Sequence, residues 1–275
     1  MSLKLMYITN KPQVAVIAQK YGVDRIWVDL ETLGKAERQG HMDSVKSHHS
    51  VEDIKKIVPL LTQSEMLVRV NPLNTNSEQE INAVIEAGAD LIMLPMWKTA
   101  EDVRTFLHFV NGRAKTVLLL ETKEAVECLD EVLAAGGVDE IHIGLNDLSL
   151  SYKMHFMFEP LANGMVEAIC RKISRYQIPY GFGGIAKLGY GDLPAENIIQ
   201  EHYRLGSNRA ILSRSFCNVE QISSLEEVEQ IFAANMRTLR EYEKEVSALS
   251  QEEFICNHKV VMEKVDKIRK SRIGA

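Results

Sequence analysis

Long apolar runs are missing from this 275-residue sequence, in which no stretch could cross a bilayer. The amino-terminal segment also lacks a signal-peptide pattern. No membrane partner is expected. Cysteine is scarce: Cys128, Cys170, Cys217 and Cys256 stand far apart with no Cys-x-x-Cys pair, which argues for reduced thiols over a zinc site or a disulfide framework. A cytoplasmic protein is expected. A basic excess is absent as well, since 32 Lys and Arg against 38 Asp and Glu leave a net charge of -6, and the cations are spread along the chain. Nucleic acid is therefore not an expected partner. The first apolar run is not followed by G-x-G-x-x-G, so the usual mark of a dinucleotide site is missing. What the chain does have is 45% hydrophobic and 25% charged residues, enough for one large core under an ordinary surface.

Short apolar, β-branched runs recur at intervals of roughly 20 to 40 residues with amphipathic stretches between them, which is the pattern of βα units around a parallel sheet. The strand candidates are residues 4–9, 25–30, 66–71, 91–95, 116–121, 140–144, 178–182 and 209–213. Helical spacing marks 51–61, 78–87, 100–110 and 124–135, the last followed by Gly136-Gly137 as a carboxyl cap. Eight units predict an α/β fold of the (β/α)₈ TIM barrel type, with an open doubly wound sheet as the alternative. The barrel is expected over residues 1–220. Residues 221–275 read as a C-terminal helical extension. There Leu225, Val228, Phe232, Met236, Leu239, Tyr242 and Val246 repeat at helical spacing behind a candidate capping box of Ser224 and Glu227, and a second helix begins near Ser250. This tail is longer than barrel closure requires, so its apolar face packs either on its own barrel or on another subunit. A homo-oligomer is expected.

In such a barrel the active site lies at the carboxyl ends of the strands. The polar residues there are Asp29, Glu31, Arg69, Asn71, Glu121, Asn146, Asp147, Gly183, Gly184 and Ser213, and the amino ends carry no comparable inward set. Glu121 closes one apolar run and Asp147 closes "IHIGLN" in the next unit. An acid at the end of a buried strand is costly unless something pairs with it. Together they can hold one hard divalent cation such as Mg²⁺ in a partial shell, leaving other positions for water or substrate oxygens. Two acids each paired with a Lys or Arg would leave the same trace. Arg69 suits an enolate oxygen or a substrate carboxylate, and equally suits a salt bridge to Glu31 or Glu121. Asn146 is a further candidate for binding substrate. Gly183-Gly184, placed after the seventh strand, fits either an anion approached by backbone N–H groups or a turn of positive φ.

The segments "DRIWVDLE", "LVRVNP", "GADLIMLPM", "LLLETKEAV" and "IGLNDLS" resemble the successive strand motifs of the HpcH/HpaI aldolase and citrate lyase family, over residues 24–215. The resemblance implies a (β/α)₈ fold and cleavage or formation of carbon–carbon bonds next to a 2-oxo acid or an acyl-CoA. It implies Mg²⁺, or Mn²⁺ or Co²⁺, held by Glu121 in "ETKEA" and Asp147 in "NDLS", with Arg69 in "VRVNP" as the active-site arginine. Aldolase members resemble "DGEH" after the second strand and lyase members "DLED", whereas this chain reads Asp29-Leu30-Glu31-Thr32. Thr32 is a poor general base, so besides Glu31 the proton transfer falls to a metal-bound water or to a histidine from the loop that follows.

That loop, residues 32–50, holds Lys35, Arg38, His41, Lys46, His48 and His49. Lys35 and Arg38 are candidates for an anionic group on the second substrate, and His41 or His48 for acid or base; each taken singly is also an ordinary surface residue. The reaction expected is a metal-dependent aldol cleavage or condensation of a 2-oxo acid with an aldehyde, through a metal-stabilised enolate. A Schiff-base lysine is not in place: Lys115 precedes its strand, and Lys98 and Lys187 lie in loops beyond theirs. An acyl-CoA lyase or condensing enzyme, and a non-catalytic member that binds a metabolite or a protein, are the alternatives.

Overall fold

Strands buried on both faces read as continuous apolar runs, and this chain uses eight of them. In the computed structural model, which describes residues 2–34, 49–222 and 224–274, they are β1 (Lys4–Ile8), β2 (Arg25–Asp29), β3 (Glu65–Arg69), β4 (Leu91–Leu94), β5 (Lys115–Leu120), β6 (Glu140–Ile143), β7 (Tyr180–Ile185) and β8 (Arg209–Leu212). They pair in chain order into a closed barrel. Parallel pairing of β8 with β1, from Lys4 opposite Arg209 to Tyr7 opposite Leu212, closes the ring and excludes the open sheet. The (β/α)₈ reading of the sequence is therefore correct.

Alternation of side chains across each strand divides the barrel into layers. Trp27 and Leu67 face each other in register and join Met6, Leu91, Met93, Val117 and Leu119 in an apolar plug on the axis. The opposite parity, including Ile26, Val28, Met66 and Val68, packs outward in the large core shared with the helices. Two residues above Trp27 and Leu67 are Asp29 and Arg69; two below are Arg25 and Glu65.

The lower layer corrects the sequence reading, because the amino ends do carry an inward charged set. Arg25 donates to both Glu140 oxygens at 2.6 and 2.7 Å, and Arg209 donates to the same two at 2.8 and 2.9 Å. Arg25 also reaches Glu65 at 3.1 Å, whose other oxygen takes Lys115 Nζ at 2.7 Å. Burial by itself would raise the Glu140 pKa, but the hydrogen bonds from Arg25 and Arg209 overcome it and hold the carboxyl at about 2. These strands are distant in the chain and meet only because the ring closes.

Helix boundaries also depart from the periodicity. The helix expected over 51–61 is α-helical across Val51–Ile57 and tightens to a 3₁₀ turn at Val58–Leu60, where Pro59 lacks the N–H that would continue it. That over 124–135 is two helices, Lys123–Glu127 and Leu129–Ala135, interrupted at Cys128 and ending on Gly136 with φ 72°. In the tail, Ser224 caps the Leu225–Val246 helix by accepting from the Glu227 N–H. Ser250 and Glu253 form a full capping box on the Gln251–Ile273 helix. Val228, Phe232, Met236, Leu239 and Val246 are buried, with the Phe232 ring edge-on to Tyr7 at 5.0 Å. The first tail helix lies on the Pro12–Lys20 and Ala195–Arg204 helices, the second on Ala195–Arg204 and Glu159–Ala162. Both therefore pack on their own barrel. Among the described residues no helix is long and apolar enough to cross a membrane.

Candidate active site

The inward parity that ends β2 with Asp29 and β3 with Arg69 puts an acid and a guanidinium side by side at the barrel mouth. Arg69 grips both Asp29 oxygens through Nε and Nη2, each at 2.8 Å, and its Nη1 lies 3.1 Å from Glu31. Its guanidinium sits 5.3 Å above the Trp27 ring. Burial opposes the Arg69 charge, yet Asp29 first, then Glu31 and Glu121, drive its pKa upward, so it remains a cation. The sequence left Arg69 between a substrate role and a salt bridge. The structure shows the bridge, made mainly to Asp29, and three of the five guanidinium N–H groups are spent on it.

The turn after β2 is held by Asn71, whose Oδ1 accepts from the N–H of Thr32 and Leu33 at 2.9 and 3.0 Å while its Nδ2 donates to Glu80 at 2.7 Å. His49 returns to the mouth from the far side of the following loop. Its Nδ1 accepts the Asp29 N–H at 3.0 Å, which leaves the ring proton of the neutral form on Nε2. No local pattern in the sequence marks His49 apart from the other basic residues of its loop, because the contact depends on where the loop ends. Lys35, Arg38, His41 and His48 lie outside the described residues.

Glu121 follows β5 on the inward parity and is buried. It accepts the Met96 N–H at 3.1 Å, and Met96 adopts φ 54° after β4, a conformation that costs energy outside glycine. Asp147 does not end a strand as its position suggested: β6 stops at Ile143, and Asp147 lies in the first turn of the Leu145–Ser151 helix. Burial, and next the Asp147 charge, push the Glu121 carboxyl up to about 8, against the opposing pull of Arg69. Among the described residues no basic side chain forms an ion pair with Glu121. Gly144 leaves room for this arrangement, since a Cβ there would stand 2.8 Å from Glu121 Oε2 and 3.0 Å from its Cβ.

Two acids that repel one another, one buried and one half-buried, fit a divalent cation, which would relieve the cost that raises the Glu121 pKa. Among the described residues no group of three or more His, Cys, Asp or Glu is gathered for a metal. The shell that the described residues offer is thus the two-carboxylate one, with other positions left to further oxygen ligands. Glu121 and Asp147 line a pocket of about 260 Å³ together with Met96 and Lys98. Next to it, Asp29, His49, Arg69, Asn146 and Ser213 border a mouth cavity of about 420 Å³.

Gly183 and Gly184 fall inside β7, not after it, at a register shift against β8. Gly183 has φ 53°, packs where a Cβ would meet Leu145 at 2.8 Å, and its carbonyl accepts from His142 Nε2 at 3.2 Å. Gly184 borders a separate cavity with Asn146 and Ser213. Lys115 sits at the opposite end of the barrel, on Glu65, and Lys187 Nζ lies 3.8 Å over the Tyr190 ring.

Comparison with known proteins agrees with this architecture. The model of the HpcH/HpaI aldolase/citrate lyase family matches residues 4–171. A hydroxypyruvate/pyruvate aldolase of Rhizorhabdus wittichii is 26% identical over 160 residues, 45% of this chain and 62% of that protein, so less than two thirds of the relative is spanned. Among solved structures, an HpcH/HpaI aldolase from Desulfitobacterium hafniense superposes with a TM-score of 0.59 at 17% identity, covering 87% of this chain and 93% of the other. An HpcH/HpaI aldolase/citrate lyase family protein from Burkholderia cenocepacia gives 0.59 at 13%, covering 87% and 94%. At these identities the two structures speak for the fold alone. With the matched model spanning more than half of the sequence on a closed eight-stranded barrel, the chain belongs to the HpcH/HpaI aldolase/citrate lyase family.

Proposed function

We propose that this chain is a divalent-metal-dependent carbon–carbon lyase that cleaves a 4-hydroxy-2-oxo acid to a 2-oxo acid and an aldehyde, and runs the reverse condensation. The observation that carries the reading is the pair of the buried Glu121 and the half-buried Asp147 beside the Asp29–Arg69–Glu31 bridge at one barrel mouth. Glu121 and Asp147 would hold a cation such as Mg²⁺, which would supply a Lewis acid for the charge that develops on the 2-oxo oxygen. Arg69, fixed by Asp29, offers its remaining donors to the substrate carboxylate. Glu31 and Asp29 position that guanidinium. His49, its Nδ1 accepting the Asp29 N–H, lines the same mouth cavity as Arg69 and helps to fix the Asp29 backbone. In cleavage the 4-hydroxyl loses its proton to water, the C3–C4 bond breaks, its electron pair becomes the enolate, and C3 takes up one proton. Nothing is oxidised or reduced.

Exchange of pyruvate methyl protons in deuterated water tests the reading. Exchange is expected with Mg²⁺ or Mn²⁺, stops with a chelator and returns when metal is restored; E121A and D147A lose metal binding by calorimetry while keeping the circular dichroism of the barrel. Exchange that survives chelation, or a borohydride-trapped adduct with pyruvate, refutes it.

A further inference from the structure

A third cavity, of about 330 Å³, lies beside the mouth under the segment that follows the Leu145–Ser151 helix. Leu150, Met154, Phe156, Met157, Phe158 and Leu193 make its apolar walls, with Ser149, His155 and Ser215 also on the lining, and the rings of Phe156 and Phe158 meet edge-on at 5.4 Å. It opens toward the chemistry on two sides. Asn146, Met157 and Ser213 border both this chamber and the mouth cavity, while Leu150 borders both the chamber and the Glu121–Asp147 pocket.

The far end of the chain helps to shape the chamber. Arg272, near the end of the Gln251–Ile273 helix, lies 4.6 Å from the Phe156 ring, donates to the His155 carbonyl at 3.2 Å and pairs with Asp192 at 2.9 Å. It thereby ties the segment after the Leu145–Ser151 helix to the segment after β7. Arg272 is also the one Lys or Arg on the chamber wall among the described residues, where His155 lies too, and Asp192 already engages it. A charged tail entering here would lose its hydration with little in return. An apolar tail would be sheltered, and the volume stands at the lower end of small-molecule sites, roughly twice that of a dry cavity able to hold benzene.

We infer that this chamber takes the apolar tail of the acceptor aldehyde, an aryl group or an alkyl chain of roughly six carbons, with the aldehyde carbon at the Asn146–Ser213 rim. The inference rests on the lyase reading above and adds the class of the second substrate. Methionine methyl groups labelled with ¹³C report occupancy directly, because Met154 and Met157 both line the wall. Titrating the full-length protein with benzaldehyde is expected to shift both signals, and M154W, which fills the space, is expected to weaken that binding at least tenfold. With pyruvate as donor, the ratio of kcat/KM for benzaldehyde to that for glycolaldehyde is expected to fall in M154W by roughly 10- to 100-fold, the value of burying one such group. Unmoved methyl signals in the wild-type protein, or equal loss for both aldehydes in M154W, overturns the inference. Shifted signals without any metal-dependent exchange of pyruvate protons uphold the chamber and overturn the lyase reading, so the two fail separately.

Discussion

Replacing Glu140 by Gln tests the charged floor of the barrel. The carboxylate is clamped by four hydrogen bonds of 2.6 to 2.9 Å from Arg25 and Arg209. Its pKa of about 2 against the ordinary 4.5 corresponds to about 3 kcal/mol favouring the ionised folded form at neutral pH. The Gln amide removes that charge and turns N–H groups toward one guanidinium, leaving the buried Arg209 without its counter-ion and Arg25 with Glu65 alone. The expected loss is about 3 to 5 kcal/mol, or roughly 10 °C in the thermal midpoint for a chain of this size. Because the folded pKa lies below the unfolded one, Glu140 contributes fully above about 4.5 and its contribution disappears as pH falls toward 2. The gap between wild type and E140Q should therefore be constant from pH 5 to 7 and narrow below 4.5. Burial lowers the rings of His142 and His202 to about 4 and about 3; both proteins lose that stability alike from pH 6.5 down to about 4, below which the Glu140 charge acting on His142 also counts, so the comparison above pH 4 isolates Glu140. Urea unfolding followed by circular dichroism measures it. A gap under about 1 kcal/mol at pH 7, or one that does not narrow in acid, refutes the assignment.

Two further substitutions probe the opposite end of the barrel. G144A places a Cβ 2.8 Å from Glu121 Oε2, so it should weaken Mn²⁺ binding about tenfold, at a cost on the order of 1 kcal/mol in stability; calorimetry showing unchanged affinity would separate Glu121 from the metal. R69K keeps the charge but loses the two-pronged grip on Asp29, and kcat/KM for pyruvate release should fall roughly 100-fold, whereas a change under threefold would show that the guanidinium geometry is irrelevant.

Periodicity in the sequence determined the barrel, because strand and helix repeats are local and every βα unit carries its own signal. The same locality made Glu121 and Arg69 visible, each at the carboxyl end of an apolar run. Asp147 was visible as an acid after β6, but its place in a helical turn was not, since "LNDLSLS" begins a helix without a capping side chain. Tertiary structure alone decided the rest. Arg25, Glu140 and Arg209 are separated by 115 and 69 residues, and only ring closure brings their strands to one axis. His49 reaches the Asp29 N–H across a loop whose sequence does not encode where it returns. The apolar chamber combines side chains from the segment after β6, the segment after β7 and the last turns of the chain. Local pattern specifies which face of an element is apolar; which distant faces enclose a space follows from how the elements pack together.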